Sequence, residues 1–345
     1  MQLGLLLTLR CNAKCGHCCV DAGPDRHDLM DEADVYSYID QAAEIPYDGS
    51  AVCLSGGEVF LYYPLLKRII SYAAPKFSDI SVVTNAFWAS SEAIAYQKLA
   101  PLRELGLTTL GVSSSPFHSD FIDPARVGFA VTAADRLGLR LIVKCTTPNN
   151  GPSADELVRE IGPVPERTKF EHLPFLPGGR ASDLPPSVLP LKAGIPEGQC
   201  PGAMFNIWPN GDTYFCCRPG AFIDALKLGN AKATSIRNLV VEFYLRGKLA
   251  FLRKHGPAGF LPAVRQAGLG GKVSSSYVDV CHLCTSLLAD PEILRVIEEF
   301  SKNYGAQVLL DLLTSNTEEI QNRYGSTPRT SNANLNPCCS EPVNV

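Results

Sequence analysis

The sequence lacks the features of membrane, secreted and nucleic-acid-binding proteins. It contains no apolar run of about 18 residues or more, so no membrane-spanning helix is predicted. Its apolar start, MQLGLLLTLRC, has neither a basic segment nor a small-residue cleavage site, and we interpret it as a buried strand rather than a signal peptide. The net charge of −4 argues against a basic nucleic-acid-binding surface. These absences predict a cytoplasmic protein that binds neither membranes nor nucleic acids.

Cysteine, by contrast, is abundant, with 13 in a chain of 345 residues. An odd number of cysteines without a secretion signal fits the reducing cytoplasm, where clustered cysteines more often bind metal than form disulfides. Cys53 and Cys145 lie inside apolar runs, and we interpret them as core residues. Most of the others fall into two groups, at residues 11–19 and 200–284.

Short apolar runs alternate with longer amphipathic stretches through the first half of the chain. The runs are rich in Val, Ile and Leu, as is typical of parallel strands covered by helices on both faces. Six such β–α repeats predict a parallel α/β fold, either a partial barrel or a doubly wound sheet. The predicted strands are 3–9, 50–55, 79–84, 108–114, 139–146 and 168–176, and the predicted helices between them are 31–45, 63–75, 90–105, 124–138 and 153–162.

The first cysteine group, CNAKCGHCC, follows the first predicted strand directly. Its spacing is Cys11-x3-Cys15-x2-Cys18, at the sheet edge where the chemistry of parallel α/β folds collects. Three thiolates can hold three irons of a [4Fe–4S] cube and leave the fourth iron open. A structural zinc site is the alternative, although such sites usually add a second two-ligand knuckle. Cys19 is assigned no ligand role.

This spacing after a first strand resembles the radical S-adenosylmethionine (radical SAM) superfamily. The resemblance implies a partial (β/α)6 barrel and a [4Fe–4S] cluster on Cys11, Cys15 and Cys18, with S-adenosylmethionine chelated by the open iron. It further implies that an electron from flavodoxin or ferredoxin cleaves S-adenosylmethionine to a 5′-deoxyadenosyl radical. This radical would abstract a hydrogen atom from the substrate, while the protein supplies position and excludes water.

The stretch LSGGEVF resembles the GGE motif of the same superfamily. It places Gly56, Gly57 and Glu58 at the end of the second predicted strand. Adjacent glycines allow the backbone to approach a ligand closely, and a carboxylate accepts hydrogen bonds from an ammonium group. The resemblance therefore implies that these three residues receive the amino group of S-adenosylmethionine.

Three later stretches continue the resemblance. In VTNA, Asn85 would lie near the nucleotide, although Ala86 replaces the common glycine of the superfamily. In GVSSSPFHSDF, either Ser113 or Ser115 would contact the ribose. In PFLPGGRA, Arg180 is expected to pair with a carboxylate, an exposed surface arginine being the alternative.

The second cysteine group resembles the SPASM and twitch domains that carry auxiliary clusters in this superfamily. The chain contains the pattern C-x10-G-x4-C, a turn LKLGNA and a closing CHLC, but not the further cysteines of a complete SPASM domain. The resemblance implies a twitch-type domain with one auxiliary [4Fe–4S] cluster, and a structural zinc site is the alternative. The implied ligands are Cys200, Cys216, Cys281 and Cys284.

Cys217 is adjacent to one of these ligands and would not easily bind the same cluster. In a few radical epimerases of the superfamily, a thiol of the auxiliary domain returns a hydrogen atom to the substrate, and Cys217 is our candidate for that role. The alternative is a buried structural thiol. Cys338 and Cys339 are interpreted as residues of a polar tail.

These patterns divide the chain into five predicted segments. They are a radical SAM core at 1–182, a linker at 183–199, an auxiliary-cluster domain at 200–290, a C-terminal helix at 291–315 and a flexible tail at 316–345.

The predicted activity is hydrogen-atom abstraction from a peptide or small-molecule substrate. We favour a ribosomally made peptide that is epimerised or crosslinked. One alternative is a sugar- or aminocyclitol-tailoring epimerase, dehydratase or decarboxylase in antibiotic biosynthesis. Another is a non-catalytic iron–sulfur electron carrier or sensor, which would not cleave S-adenosylmethionine when reduced.

Overall fold

A computed structural model describes residues 2–45, 51–200, 204–216, 218 and 220–314. Cys217, Cys338 and Cys339 lie outside the described residues, as does the predicted tail 316–345. Within the described ranges, no helix combines the length and the apolar character needed to cross a membrane.

Eleven strands occur in the described part of the chain. They are β1 (Gln2–Thr8), β2 (Ala51–Gly56), β3 (Asp79–Thr84), β4 (Thr109–Ser114), β5 (Arg140–Cys145), β6 (Lys169–His172), β7 (Lys192–Ala193), β8 (Met204–Ile207), β9 (Asp212–Tyr214), β10 (Lys227–Asn230) and β11 (Ser276–Tyr277). Nine of them form one sheet in the order β10-β9-β8-β1-β2-β3-β4-β5-β6, in which β1 to β6 run parallel. β7 and β11 pair separately.

The described residues also form twelve α-helices. They are α1 (Glu32–Ala43), α2 (Tyr63–Ala73), α3 (Glu92–Glu104), α4 (Pro116–Ser119), α5 (Ala125–Arg136), α6 (Ala154–Ile161), α7 (Ile236–Leu245), α8 (Gly247–His255), α9 (Leu261–Gln266), α10 (Val280–Ala289), α11 (Pro291–Ser301) and α12 (Tyr304–Thr314). The helices α1, α2, α3, α5 and α6 connect successive parallel strands and overlap the five predicted helices. This alternation confirms the predicted α/β class and its partial (β/α)6 barrel.

Local sequence explains why these elements form. Helix α1 begins after Asp31, whose carboxylate accepts the backbone N–H of Ala33 at 2.9 Å and so caps the helix. Its residues Val35, Tyr38 and Ile39 are buried at helical spacing against the sheet. Burial of an aliphatic side chain of this size contributes about 1.5–3 kcal/mol, so the apolar face fixes the helix in place.

The segment that follows the barrel joins the same sheet. β8 pairs in parallel with β1, and β9 and β10 continue from it in antiparallel order. Helix α7 lies near α1, where the backbone N–H of Ile236 donates to Gln41 Oε1 at 2.9 Å. Residues 204–230 therefore extend the sheet of the barrel, and β1 is flanked by strands on both edges.

The C-terminal part of the described chain forms two helices, α11 and α12, where one helix was predicted. The chain turns between Ser301 and Tyr304, and α12 then packs against α8. Glycines permit the close approach, because a Cβ on Gly305 would lie 1.6 Å from Leu245 O and one on Gly247 would lie 1.9 Å from Ser301 O.

Candidate active site and auxiliary cysteine site

The carboxyl ends of the parallel strands border a cavity of about 270 Å³. Its polar lining includes Ser55, Asn85, Ser113, Lys144 and Thr146, which follow or end the strands β2 to β5. Its apolar lining includes Leu173, Phe175, Leu176 and Phe222. The cavity thus lies at the sheet edge where the sequence placed the candidate residues.

The cysteine loop after β1 forms part of this cavity. Cys11, Cys15 and Cys18 all line it. The Cys11 sulfur accepts the backbone N–H of Ala13 at 3.4 Å, and the Cys18 sulfur accepts that of Ala22 at 3.3 Å. Such donors stabilise thiolates that bind iron.

The three thiols lie within electrostatic reach of one another. Burial raises the pKa of Cys11 to about 11 and that of Cys15 to about 12, and Cys18 adds to both shifts. Thiolates at this position therefore require a compensating positive charge, which iron would supply.

The GGE segment is fixed against the chain that precedes Cys11. Gly57 N donates to Thr8 O at 2.6 Å, and Glu58 N donates to Arg10 O at 2.9 Å. A Cβ on Gly57 would lie 2.1 Å from Arg10 O, so only glycine permits this approach. Gly56 and Gly57 line the cavity.

Glu58 lies behind the part of the cavity wall that Gly56 and Gly57 form, and it is fully buried. Its Oε1 accepts from Phe60 N at 3.0 Å and Thr84 Oγ1 at 2.8 Å, and its Oε2 accepts from Asn85 N at 2.8 Å. Burial raises its pKa to about 7, while these three hydrogen bonds act in the opposite direction. Glu58 is not among the described residues that line the cavity, so its direct contact with S-adenosylmethionine stays a prediction. The carboxylate instead joins the ends of β2 and β3.

Asn85 connects this network to the cysteine loop. Its Nδ2 donates to Asn12 Oδ1 at 3.0 Å and lies 3.8 Å from the sulfur of Cys11. The next residue, Ala86, has a φ of +61°, in the left-handed region that favours glycine. This conformation gives a physical reason for the glycine that is common at this position in the resembling superfamily.

The structure distinguishes between the two serine candidates, Ser113 and Ser115. Ser113 lines the cavity. Ser115 is buried, and its hydroxyl lies 2.6 Å from His118 Nδ1 while it caps α4. Ser113 is therefore the candidate that a ligand can reach, and Ser115 has a structural hydrogen bond.

Arg180 holds the cysteine loop in place. Its Nε donates to Cys15 O at 3.0 Å, its guanidinium also bonds Ala22 O, and Nη1 pairs with Asp21 at 2.8 Å. Its own backbone N–H donates to Cys18 O at 3.0 Å. The carboxylate that Arg180 pairs with in the structure is Asp21, and the role of Arg180 in binding the cofactor stays a prediction.

Sequence reasoning missed part of the cavity wall. Lys144 is the only Lys, Arg, Asp or Glu among the described lining residues, and a single charge inside the apolar run LIVKC could have signalled it. His17 also lines the cavity, stacked on Phe117 with ring centres 4.9 Å apart and edge-on to His118 at 4.8 Å. Burial lowers the pKa of His17 to about 4, so this imidazole is neutral at pH 7.

A second, narrow and mostly apolar cavity collects the other cysteine group. Cys284 and Cys281 lie three residues apart on one face of α10, and the remaining two come from the segments around β8 and β9. Burial and the three neighbouring thiols raise the pKa of Cys284. The four cysteines that line this cavity are Cys200, Cys216, Cys281 and Cys284.

The comparison with protein families decides the identity of the barrel. Residues 5–123 match the model of the Radical SAM superfamily. Residues 5–123 of this chain are a radical SAM domain. The matched residues include the cysteine loop, the GGE segment and the ends of β2, β3 and β4. The protein is therefore an enzyme of a superfamily that uses a [4Fe–4S] cluster and S-adenosylmethionine.

Individual proteins resemble this radical SAM enzyme over different lengths. It is 22% identical over 304 residues to "Putative peptide biosynthesis protein YydG" of Bacillus subtilis, an alignment that covers 86% of this chain and 95% of that protein. It is 27% identical over 116 residues to the antilisterial bacteriocin subtilosin biosynthesis protein AlbA of Bacillus subtilis, covering 33% of this chain and 25% of that protein. The structure of Streptococcus suis SuiB bound to S-adenosylmethionine aligns with a TM-score of 0.49 and 14% identity, covering 69% of this chain and 65% of that chain.

The radical SAM cavity fits the groups that the superfamily uses. Among the described residues, no three or more His, Cys, Asp or Glu side chains surround one point as ligands of a single metal ion would. A [4Fe–4S] cube does not require its ligands to converge on one point, because each thiolate binds a different iron. In addition, His17 Nδ1 is buried in the described part of the chain without a hydrogen-bond partner, as expected of an atom that meets a ligand.

Glu58→Ala is expected to lower the free energy of unfolding of the radical SAM enzyme by about 3 kcal/mol, because three buried donors lose their acceptor. Urea denaturation of the cluster-free protein measures this change. Glu104→Ala removes an exposed carboxylate and is expected to change the free energy by less than about 0.5 kcal/mol. Equal effects of the two substitutions would contradict the role assigned to Glu58.

Proposed function

We propose that this radical SAM enzyme epimerises or crosslinks residues of a ribosomally made peptide. The similarity to YydG carries the proposal, because it extends over 95% of that protein, whose name refers to peptide biosynthesis. The similarity to AlbA, a bacteriocin biosynthesis protein, supports the same substrate class over one third of the chain.

The residues at the barrel cavity would have different roles. Cys11, Cys15 and Cys18 would hold the cluster, and the backbone of Gly56 and Gly57 would approach the amino group of the cofactor. Ser113 would contact its ribose. When bound and reduced, these groups supply a radical that abstracts a hydrogen atom from the substrate. The apolar side of the cavity would keep water from the reacting atoms.

The second cysteine site would hold the auxiliary [4Fe–4S] cluster. Four thiols around one cavity can saturate a cube, so this cluster would have no open iron and would transfer electrons rather than bind the cofactor. A flavodoxin or ferredoxin would supply the electrons. Cys217, which follows one of the four cysteines in sequence, would return a hydrogen atom to the peptide in an epimerisation.

The test is coexpression of the enzyme with the peptides encoded by short reading frames beside its gene, followed by mass spectrometry. In D2O, epimerisation is expected to add one deuterium at an α-carbon and give a D-residue on chiral analysis, whereas crosslinking removes two hydrogens. Conversion of an aminocyclitol by the reconstituted enzyme, with no change to any peptide, would overturn the proposal in favour of sugar-type substrates.

A further inference from the structure

The segment that carries Cys200 is fixed to the C-terminal half of α8. Cys200 N donates to Leu252 O at 3.4 Å, and Gln199 Nε2 donates to Lys254 O at 2.9 Å. The two backbones also touch one turn further on, where a Cβ on Gly256 would lie 1.9 Å from the carbonyl oxygen of residue 198. These contacts lie on both sides of residue 253 and hold it beside the cysteine.

Residue 253 is an arginine whose side chain is partly buried. Its guanidinium carbon lies 4.4 Å from the ring centre of Tyr244 and 4.9 Å from that of Phe243. Stacking on two rings restricts the planar guanidinium to one orientation. Its Nη1 atom is buried and has no hydrogen-bond partner in the described part of the chain. A buried donor in this state needs an acceptor other than the described protein groups.

The charge of Arg253 acts on the second cysteine site. Burial lowers the pKa of Arg253, while Tyr244 and Cys200 shift it in the opposite direction. Cys200 is therefore within electrostatic reach, and arginine stays protonated in proteins. A cluster on four thiolates is negatively charged and gains one further negative charge on reduction. A fixed positive charge nearby stabilises the reduced form.

We infer that Arg253 is a positioning residue that supplies a positive charge and the Nη1 donor to a cluster bound at Cys200, and thereby raises its reduction potential. The inference rests on the proposed auxiliary cluster. Arg253 would make this cluster easier to reduce than the same four cysteines alone, so that it could accept an electron during turnover.

The experiment compares Arg253→Met, which removes the charge, with Arg253→Lys, which keeps it. Redox titrations monitored by EPR measure both clusters in the full reconstituted chain, with S-adenosylmethionine added to shift the signal of the barrel cluster. Arg253→Met is expected to decrease the ratio of reduced to oxidised auxiliary cluster about tenfold at a fixed potential, a shift of about 59 mV for one electron. The potential of the auxiliary cluster is expected to stay near wild type in Arg253→Lys and in the exposed control Arg265→Met. The potential of the barrel cluster is expected to stay near wild type in all three variants.

An unchanged auxiliary potential in Arg253→Met, with about eight irons per chain, would overturn the inference. A wild-type chain that binds only about four irons and still cleaves S-adenosylmethionine would overturn the auxiliary cluster itself. If Arg253→Met does not fold, the wild type is labelled with ¹⁵N-arginine and the reduced auxiliary cluster is studied by EPR instead. A hyperfine coupling between guanidinium nitrogen and the reduced auxiliary cluster that disappears in Arg253→Lys supports the inference, and its absence from the wild type overturns it.

Discussion

Replacement of Cys11, Cys15 and Cys18 together by alanine is expected to abolish the formation of 5′-deoxyadenosine under anaerobic reduction. Without these thiolates no cluster with an open iron can form in the barrel, so S-adenosylmethionine has no electron source. The iron content is expected to fall from about eight to about four per chain, because the second cysteine site is untouched. Chromatography of the nucleoside product and iron analysis measure the two effects.

Two further variants serve as controls for this experiment. Cys19→Ala changes a cysteine that lines the same cavity and is expected to keep both the iron and the cleavage activity. Substitution of Cys281 and Cys284 is expected to remove the other four irons while cleavage persists. Cleavage that survives the loss of Cys11, Cys15 and Cys18 would contradict the ligand assignment.

Cys217→Ala is expected to leave the cleavage of S-adenosylmethionine intact and to reduce turnover of the peptide to below about 1% of wild type. The reason is that a thiol S–H bond is weak enough to give a hydrogen atom to a carbon radical, which alanine cannot do. Mass spectrometry in D2O measures the effect, since the thiol exchanges with solvent and would deliver deuterium to the product.

The matched control is Cys338→Ala, which removes another thiol that we assign to the tail. It is expected to leave deuterium incorporation unchanged. An unaltered product from the Cys217→Ala enzyme would reject the donor role and favour crosslinking, which needs no returned hydrogen atom.

The sequence by itself determined the fold class and most of the barrel site. The first six strands begin within one residue of their predicted starts, because each is a short apolar run with a helix after it. In a parallel sheet the ends of neighbouring strands meet at one edge. The motif that ends at Cys18 and the one that begins at Gly56 are 38 residues apart along the chain, and this rule alone predicts that they meet.

Only the tertiary structure decided how individual side chains act within this frame. Glu58 is fully buried behind the cavity wall, where its carboxylate joins the ends of β2 and β3, and its contact with a ligand stays a prediction. Arg180 bonds Cys15 from a position 165 residues later, and β8 joins β1 across an even longer distance in sequence. Local spacing carries no signal of these contacts, because they depend on packing between distant segments. The same reason explains the position of Arg253, which lies close to Cys200 because the segment that carries Cys200 packs against α8.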